Sequence, residues 1–291
     1  MAPREDRFAA SVLPARHLLR WRTVPLGYSE RGRSVNPMSR APRAWKSRRM
    51  APLEELWLVR HGESVGNVAA TRAETEGREL IPLDTRDADV PLSGTGVEQA
   101  QALGMRLRGA DPAPQIAWVS PYVRAQQTFA LGVAGGPAIP TVFADDRLRD
   151  RELGILDLLT RTGVAARHPE EAARRAHLGK YYHRPPGGES WADVALRLRS
   201  FLRDADDFPA TVGLVVAHDA VVMLLIAILT RMDEAELLAF ASANTVLNAS
   251  VTRLRRDGAG WALEEFSNVD HLQRAGADVT VHPGSPDVAP D

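Results

Sequence analysis

The stretch Leu56-Trp-Leu-Val-Arg60-His61-Gly62-Glu63-Ser64 constrains the fold of this 291-residue chain more than any other. Four apolar residues run straight into an Arg-His pair and a glycine. A short apolar run closed by a turn residue reads as a buried strand leaving the core. Two further runs have the same form. Thr211-Val-Gly-Leu-Val-Val-Ala217 ends in His218-Asp219. Ile116-Ala-Trp-Val ends in Ser120-Pro121, and the helix that follows presents Arg124 in its first turn. Strands alternating with helical periodicity imply an α/β fold, a three-layer sandwich with a mostly parallel central sheet and helices on both faces. In such sheets ligands bind where strands end and loops begin. Parallel neighbours would therefore bring Arg60, His61, Arg124 and His218 to one edge.

The remaining segments fit around these strands. Residues 63–89 are polar and irregular, apart from Leu80-Ile81-Pro82-Leu83, and read as a long loop with some helix; loops of that length are usually functional. Pro91-Leu-Ser-Gly-Thr-Gly96 sets up a helix with Ser93 or Thr95 as N-cap, and Val97, Ala100, Leu103, Gly104 and Leu107 follow at helical spacing. Thr141-Val-Phe143 is a short strand, and Asp145 to Gly154 is dense in charge. Residues 158–186, 191–205 and 233–241 read as helical. Residues 246–254 and 261–266 read as a hairpin of edge strands around Asp257-Gly258. The folded domain spans 51–275, and from Gly276 onward the Pro-, Gly- and Asp-rich chain reads as a disordered tail.

Composition narrows the setting. Cysteine is absent, which excludes disulfides and thiolate metal sites and fits a reducing, cytoplasmic location. No apolar stretch approaches the roughly 18 residues of a membrane helix. The net charge of −1 hides an asymmetry: residues 1–50 carry +9 and residues 51–291 carry −10. An anion site in the acidic body must therefore be built locally from a few Arg and His, and no nucleic acid is expected on the core. The basic segment 1–50 reads as a disordered basic extension, as a transit-peptide-like leader, or as a mis-assigned start ahead of Met38 or Met50. The 34 Arg against 2 Lys suggest a GC-rich coding sequence, in which spurious upstream frames are common.

Two imidazoles and two guanidiniums at one sheet edge have the composition of a phosphate site. Arginine forks match phosphate oxygens bidentately, and helix N-termini add N–H donors. Imidazole can also be a nucleophile that forms a covalent intermediate, with its other nitrogen fixed by a carbonyl. Two Arg and a protonated His can supply the charge that a metal supplies elsewhere. A leaving alkoxide further needs a proton donor. Asp150, Glu152 and Asp219 are the candidates, with the Asp145–Gly154 loop favoured as its source.

At this point the chain resembles the histidine phosphatase superfamily, in its phosphoglycerate mutase-like branch (branch 1). The matching pieces occur in the family's order. They are Leu58-Val-Arg60-His61-Gly62-Glu63-Ser64 with Asn67, Pro91-Leu-Ser-Gly-Thr-Gly-Val-Glu-Gln99-Ala100, Ser120-Pro-Tyr-Val-Arg124-Ala-Gln-Gln-Thr128, Leu148-Arg-Asp150-Arg-Glu152-Leu-Gly154, Gly187-Gly-Glu-Ser190 and Val215-Val-Ala-His218. The resemblance implies that His61 is phosphorylated, that Arg60, Arg124 and His218 bind the phosphoryl group, and that Asn67 contacts substrate or phosphate; Ser64 is a further candidate substrate contact that could equally cap or brace the loop. It implies no metal and no organic cofactor. Two positions depart from the pattern. The donor is usually Glu where Asp150 stands, and the second His is usually followed by Gly where Asp219 stands, as in the phytase and acid phosphatase branch.

The function expected is a metal-independent phosphatase of small phosphomonoesters acting through phospho-His61, with Asp150 as the favoured donor. The alternatives are a phosphoglycerate mutase and a weakly active phosphate-binding or signalling module. Arg151-Glu-Leu-Gly154 continues into Ile-Leu-Asp-Leu-Leu159 and lacks the Leu-x-Gly-x-Asn-Lys stretch of mutases, which ranks that alternative lower. A homodimer is left open.

Overall fold

The computed structural model describes residues 52–134, 138–258 and 260–282. The expectations for residues 1–50 and 283–291 lie outside them. Six strands occur among the described residues: β1 (Glu55–Arg60), β2 (Ile116–Val119), β3 (Thr141–Ala144), β4 (Val212–Ala217), β5 (Val251–Asp257) and β6 (Gly260–Asn268). They form one sheet in the order β3-β2-β4-β1-β5-β6. The first four run parallel; β5 and β6 are antiparallel to their neighbours.

Successive side chains of a strand face opposite ways, so the apolar runs serve two cores at once. Leu56 and Leu58 of β1 pack into a cluster with α6 (Trp191–Ala205) and α7 (Asp219–Thr230). Trp57 and Val59 pack into a second cluster with α2 (Gly94–Arg108) and α3 (Val123–Val133). Burial on both faces explains why these strands are continuously apolar rather than alternating. The three-layer sandwich is the result.

Local readings differ in several places. Val65–Thr75 forms a regular helix, α1, directly after the first strand's turn, because Ser64 and Asn67 make a reciprocal capping box. The loop is thus confined to residues 76–92. Residues 158–186 divide into α4 (Arg161–Arg167) and α5 (Pro169–Tyr182), since Pro169 favours a fresh helix start. A helix α8 covers Glu234–Ala243. The hairpin is not wholly at the edge: β5 pairs with β1 inside the sheet, and of its two strands β6 alone lies at an edge. Residues 246–250 are not strand.

The disordered tail expected from Gly276 is corrected for residues 276–282. Gly276 closes α9 (Asp270–Ala275) in the left-handed conformation, at φ 69°. The chain then turns back across the molecule. Gln99 Nε2 donates to Asp278 O at 2.8 Å and to Thr280 Oγ1 at 2.9 Å, and Thr280 Oγ1 donates to Asn248 Oδ1 at 3.2 Å. A polar Pro- and Gly-rich segment looks like a tail because it has no apolar period; here buried amides hold it instead. No helix among the described residues is long and apolar enough to cross a membrane.

His271 on α9 gives a test of the packing. It is buried, its Nε2 donates to Ala249 O at 3.0 Å, and its Nδ1 has no partner among the described residues. Burial pushes the ring down to about 4. The unfolded chain therefore takes up a proton below about pH 6.5 that the folded chain refuses. Stability is full above that pH and falls until the folded value is reached, by up to about 3 kcal/mol from this group. His271→Gln is expected to flatten the fall in the urea midpoint between about pH 7 and pH 5. An unchanged slope would refute the assignment.

Candidate active site

The three strand ends meet as their order requires. Arg60 lies beside Ala217 in the β1–β4 register, and Val119 beside Val216. His61 N then donates to Ala217 O at 2.9 Å. The turn after β1 is braced by the start of α2. Ser93 caps that helix, its N–H donates to Glu63 O at 2.9 Å and its hydroxyl donates to Glu63 Oε1 at 2.6 Å. The two backbones touch: a Cβ at Gly96 would lie 1.9 Å from Glu63 O. That approach is why the Ser-Gly-Thr-Gly stretch needs its second glycine.

His61 is buried, and its Nδ1 lies 2.7 Å from Gly62 O. Nδ1 must be the protonated nitrogen, because a carbonyl only accepts. Nε2 then keeps its lone pair, with Arg124 Nε donating to it at 3.3 Å. Burial, followed by the charges of Arg124, His218 and Arg60, holds the imidazole well below its usual range. His61 is therefore a neutral imidazole with a fixed tautomer. Its ring stands edge-on to His218, centroids 5.2 Å apart.

His218 is fully buried. Its Nε2 lies 2.8 Å from Ser120 Oγ and its Nδ1 3.2 Å from Asp150 Oδ2. Burial lowers its proton affinity although Asp150 opposes this.

The two arginines do converge, but both are occupied. Arg60 is buried and its Nη1 donates to Val246 O and, at 2.9 Å, to His282 O. Arg124 Nη2 reaches Asp150 Oδ2 at 3.1 Å, and its fork closes on Asp87, with Oδ1 at 2.9 Å and Oδ2 at 3.2 Å. Asp87 sits on a 3₁₀ turn, Asp87–Asp89, in the loop before α2.

The three acid candidates separate clearly. Burial alone would raise Asp150, but His218 and Arg124 outweigh it and hold the carboxyl well below the usual range. Glu152 lies half exposed and accepts from Tyr122 Oη at 3.1 Å. Asp219 opens α7 and is the largest opposing charge on buried Arg60. All three line one cleft of about 550 Å³ with Arg60, His61 and Arg124.

Ser64 and Asn67 also line that cleft, but their first duty is structural. Ser64 Oγ accepts from Asn67 N, and Asn67 Oδ1 accepts from Ser64 N at 3.1 Å and from Asn248 Nδ2 at 3.3 Å. Ser64 Oγ caps the helix as an acceptor and keeps its hydroxyl proton as a donor. Asn67 has its oxygen fixed, which leaves its Nδ2 as the donor for a ligand.

Three contributors were missed from sequence. Asn248, fully buried, donates to His61 O at 3.1 Å and so anchors the backbone of His61. A polar residue inside a run read as strand was its only signal. His282 enters the cleft, its ring pushed down to about 4 by burial. Asp87 lies in a loop with no pattern to mark it.

The model of the histidine phosphatase superfamily (branch 1) matches residues 56–269. A metal-independent phosphoserine phosphatase of Arabidopsis thaliana is 30% identical over 223 residues, covering 76% of this chain and 84% of that protein. A 2,3-bisphosphoglycerate-dependent phosphoglycerate mutase of Rhizobium rhizogenes is 30% identical over 218 residues, covering 70% and 95%. Among solved structures, a mycobacterial glucosyl-3-phosphoglycerate phosphatase in complex with VO3 is similar with a TM-score of 0.58 at 28% identity, covering 74% of this chain and 100% of that one.

Proposed function

The chain belongs to the histidine phosphatase superfamily, branch 1, and we propose that within it the protein is a metal-independent phosphatase of small phosphomonoesters. The single observation that carries this reading is His61: neutral, tautomer fixed by Gly62 O, and its free Nε2 beside the Arg124 guanidinium.

In the first step Nε2 attacks phosphorus in line. The N–P bond forms as the bond to the leaving oxygen breaks, and that oxygen takes a proton from a carboxylic acid. Arg60 and Arg124 carry the charge that builds on the phosphoryl oxygens. In the second step water attacks phospho-His61, gives its proton to the same carboxylate, and inorganic phosphate leaves. We assign the acid to Asp150, the carboxyl that adjoins both Arg124 and His218. It is ionised at rest. A bound dianion that shares those partners raises its proton affinity, so that it takes up a proton from solvent and then gives it to the leaving oxygen.

Hydrolysis is favoured over mutase chemistry by the outer cleft. Besides the phosphoryl-binding groups, the cleft lining carries Glu74, Glu152 and Asp157 as well as Arg151, Arg161 and Lys180. A mutase must hold a second anionic group of its substrate, and these groups offer no surplus of positive charge for one.

Turnover of p-nitrophenyl phosphate, unaffected by EDTA and independent of any bisphosphoglycerate primer, is the expected result. No turnover of any phosphoester would sink the phosphatase reading, and sensitivity to EDTA would sink the metal-free mechanism. Asp150→Asn is expected to lower kcat on an alkyl phosphate by about 10²-fold or more, with a smaller loss on p-nitrophenyl phosphate, whose leaving group needs no proton. Equal losses with Glu152→Gln or Asp219→Asn, and none with Asp150→Asn, would move the acid elsewhere.

A further inference from the structure

Every donor of Arg124 is committed. A guanidinium has five N–H groups in a fixed fork. Nε reaches His61 Nε2 at 3.3 Å; Nη1 reaches the Asp87 carbonyl at 2.6 Å and its Oδ1 at 2.9 Å; Nη2 reaches Asp87 Oδ2 at 3.2 Å and Asp150 Oδ2 at 3.1 Å. The outer edge of the fork thus faces the two oxygens of one carboxylate. That is the bidentate geometry in which arginine also takes two phosphoryl oxygens.

We propose that Asp87 is a positioning residue that acts as a substrate-displaced counter-ion: it holds the fork of Arg124 at rest, and the incoming phosphoryl group takes its place. The inference rests on the reading of Arg124 as a phosphoryl ligand.

Of the two carboxylates on Arg124, Asp87 is the one able to leave. Asp150 Oδ1 is held by Arg151 N at 2.9 Å and its Oδ2 lies 3.2 Å from His218 Nδ1, so it has partners besides Arg124. The side chain of Asp87 bonds to Arg124 alone among the described residues, is 45% exposed, and sits on a three-residue turn. Its displacement returns an already half-exposed carboxylate to water, while the buried Arg124 passes directly to the incoming anion. The bond from Nη1 to the Asp87 carbonyl does not depend on the side chain and keeps Arg124 aimed when the carboxylate has gone.

This predicts a specific effect on affinity. The apparent affinity of a ligand falls by the fraction of protein in which its site is free. Isothermal titration of the full chain with inorganic phosphate, at about pH 8 where phosphate is dianionic, reads that fraction without needing turnover. Asp87→Asn is expected to bind phosphate about tenfold more tightly than wild type, with KM for phosphomonoesters lowered and kcat not raised. Asp87→Glu restores a competing carboxylate and is expected to stay within about threefold of wild type. Asp157→Asn removes the same charge from the same cleft without touching Arg124, and should change the affinity by less than about threefold.

Unchanged or weaker phosphate binding by folded Asp87→Asn would overturn the proposal. So would an equal gain from Asp157→Asn, which would reduce the effect to overall charge. Should Asp87→Asn melt well below wild type, Asp87→Ser is titrated in its place under the same criteria. An Arg124→Ala protein that binds phosphate as tightly as wild type would instead remove the reading of Arg124 itself.

Discussion

His61→Ala is expected to lower kcat on every phosphomonoester by at least about 10⁴-fold, the scale seen when a covalent nucleophile is removed. Among the described residues, His218 is the one other imidazole in ring contact with His61, and its Nε2 is engaged with Ser120 Oγ at 2.8 Å. The fold should survive, because what holds the turn is backbone: His61 N to Ala217 O, and His61 O from Ala249 N and Asn248 Nδ2. Thermal melting within a few degrees of wild type is therefore expected beside the loss of rate. Rapid quenching of wild type with substrate, in alkali where phosphoramidates persist, should leave a phosphoryl group on a peptide containing His61. A His61→Ala protein that retains more than about a tenth of wild-type kcat would refute covalent catalysis at this residue.

Arg124→Ala is expected to cost about 10³-fold in kcat/KM, since one preorganised donor to developing charge is worth about 10² to 10³ and the fork supplies more than one. The damage extends beyond the lost charge. Arg124 also donates to His61 Nε2 and balances Asp87 and Asp150, so its removal leaves two carboxylates facing the phosphoryl position. Arg124→Lys keeps the charge but not the planar fork, and should recover little of the loss. Recovery by lysine to within about threefold of wild type would show that bulk positive charge, not bidentate geometry, is what the position supplies.

How much of this was legible before any coordinates depends on how each residue is held. Arg60, His61, Arg124 and His218 follow apolar runs, and burial on two faces makes such runs unmistakable; the sheet order then places their ends together. The fork of Arg124 and the turn at Gly62 could likewise be placed, because they belong to contiguous stretches. Asp87 could not. Its position depends on a loop of 76–92 whose path is set by long-range contacts such as Leu92 N to Gln127 Oε1 at 2.8 Å, and no local period encodes them. Asn248 was hidden by the strand expected over 246–254, which ends where the chain must leave the sheet to support His61. The segment after Gly276 was misread for the opposite reason. Its order is imposed by Gln99 and Asn248, far away in sequence, and nothing in its own composition reports them. The lowered proton affinity of His218 was also beyond sequence reasoning, since it depends on burial and on the opposing charge of Asp150.

The same returning segment has a practical consequence for handling the protein. Its last described residue, His282, gives its carbonyl to Arg60 and its ring nitrogen to Thr71 Oγ1 at 3.2 Å, so the chain arrives inside the cleft. Pro52, by contrast, precedes β1 at the other end of the strand, where Glu54 N bonds to Thr211 O. An affinity tag or fluorophore joined ahead of Pro52 begins on the side of the molecule remote from the chemistry. One appended close behind His282 begins at the substrate's doorway, where an oligohistidine or an acidic epitope adds imidazoles or charge beside Arg60. Rates and phosphate affinities measured on the two kinds of fusion are therefore not interchangeable.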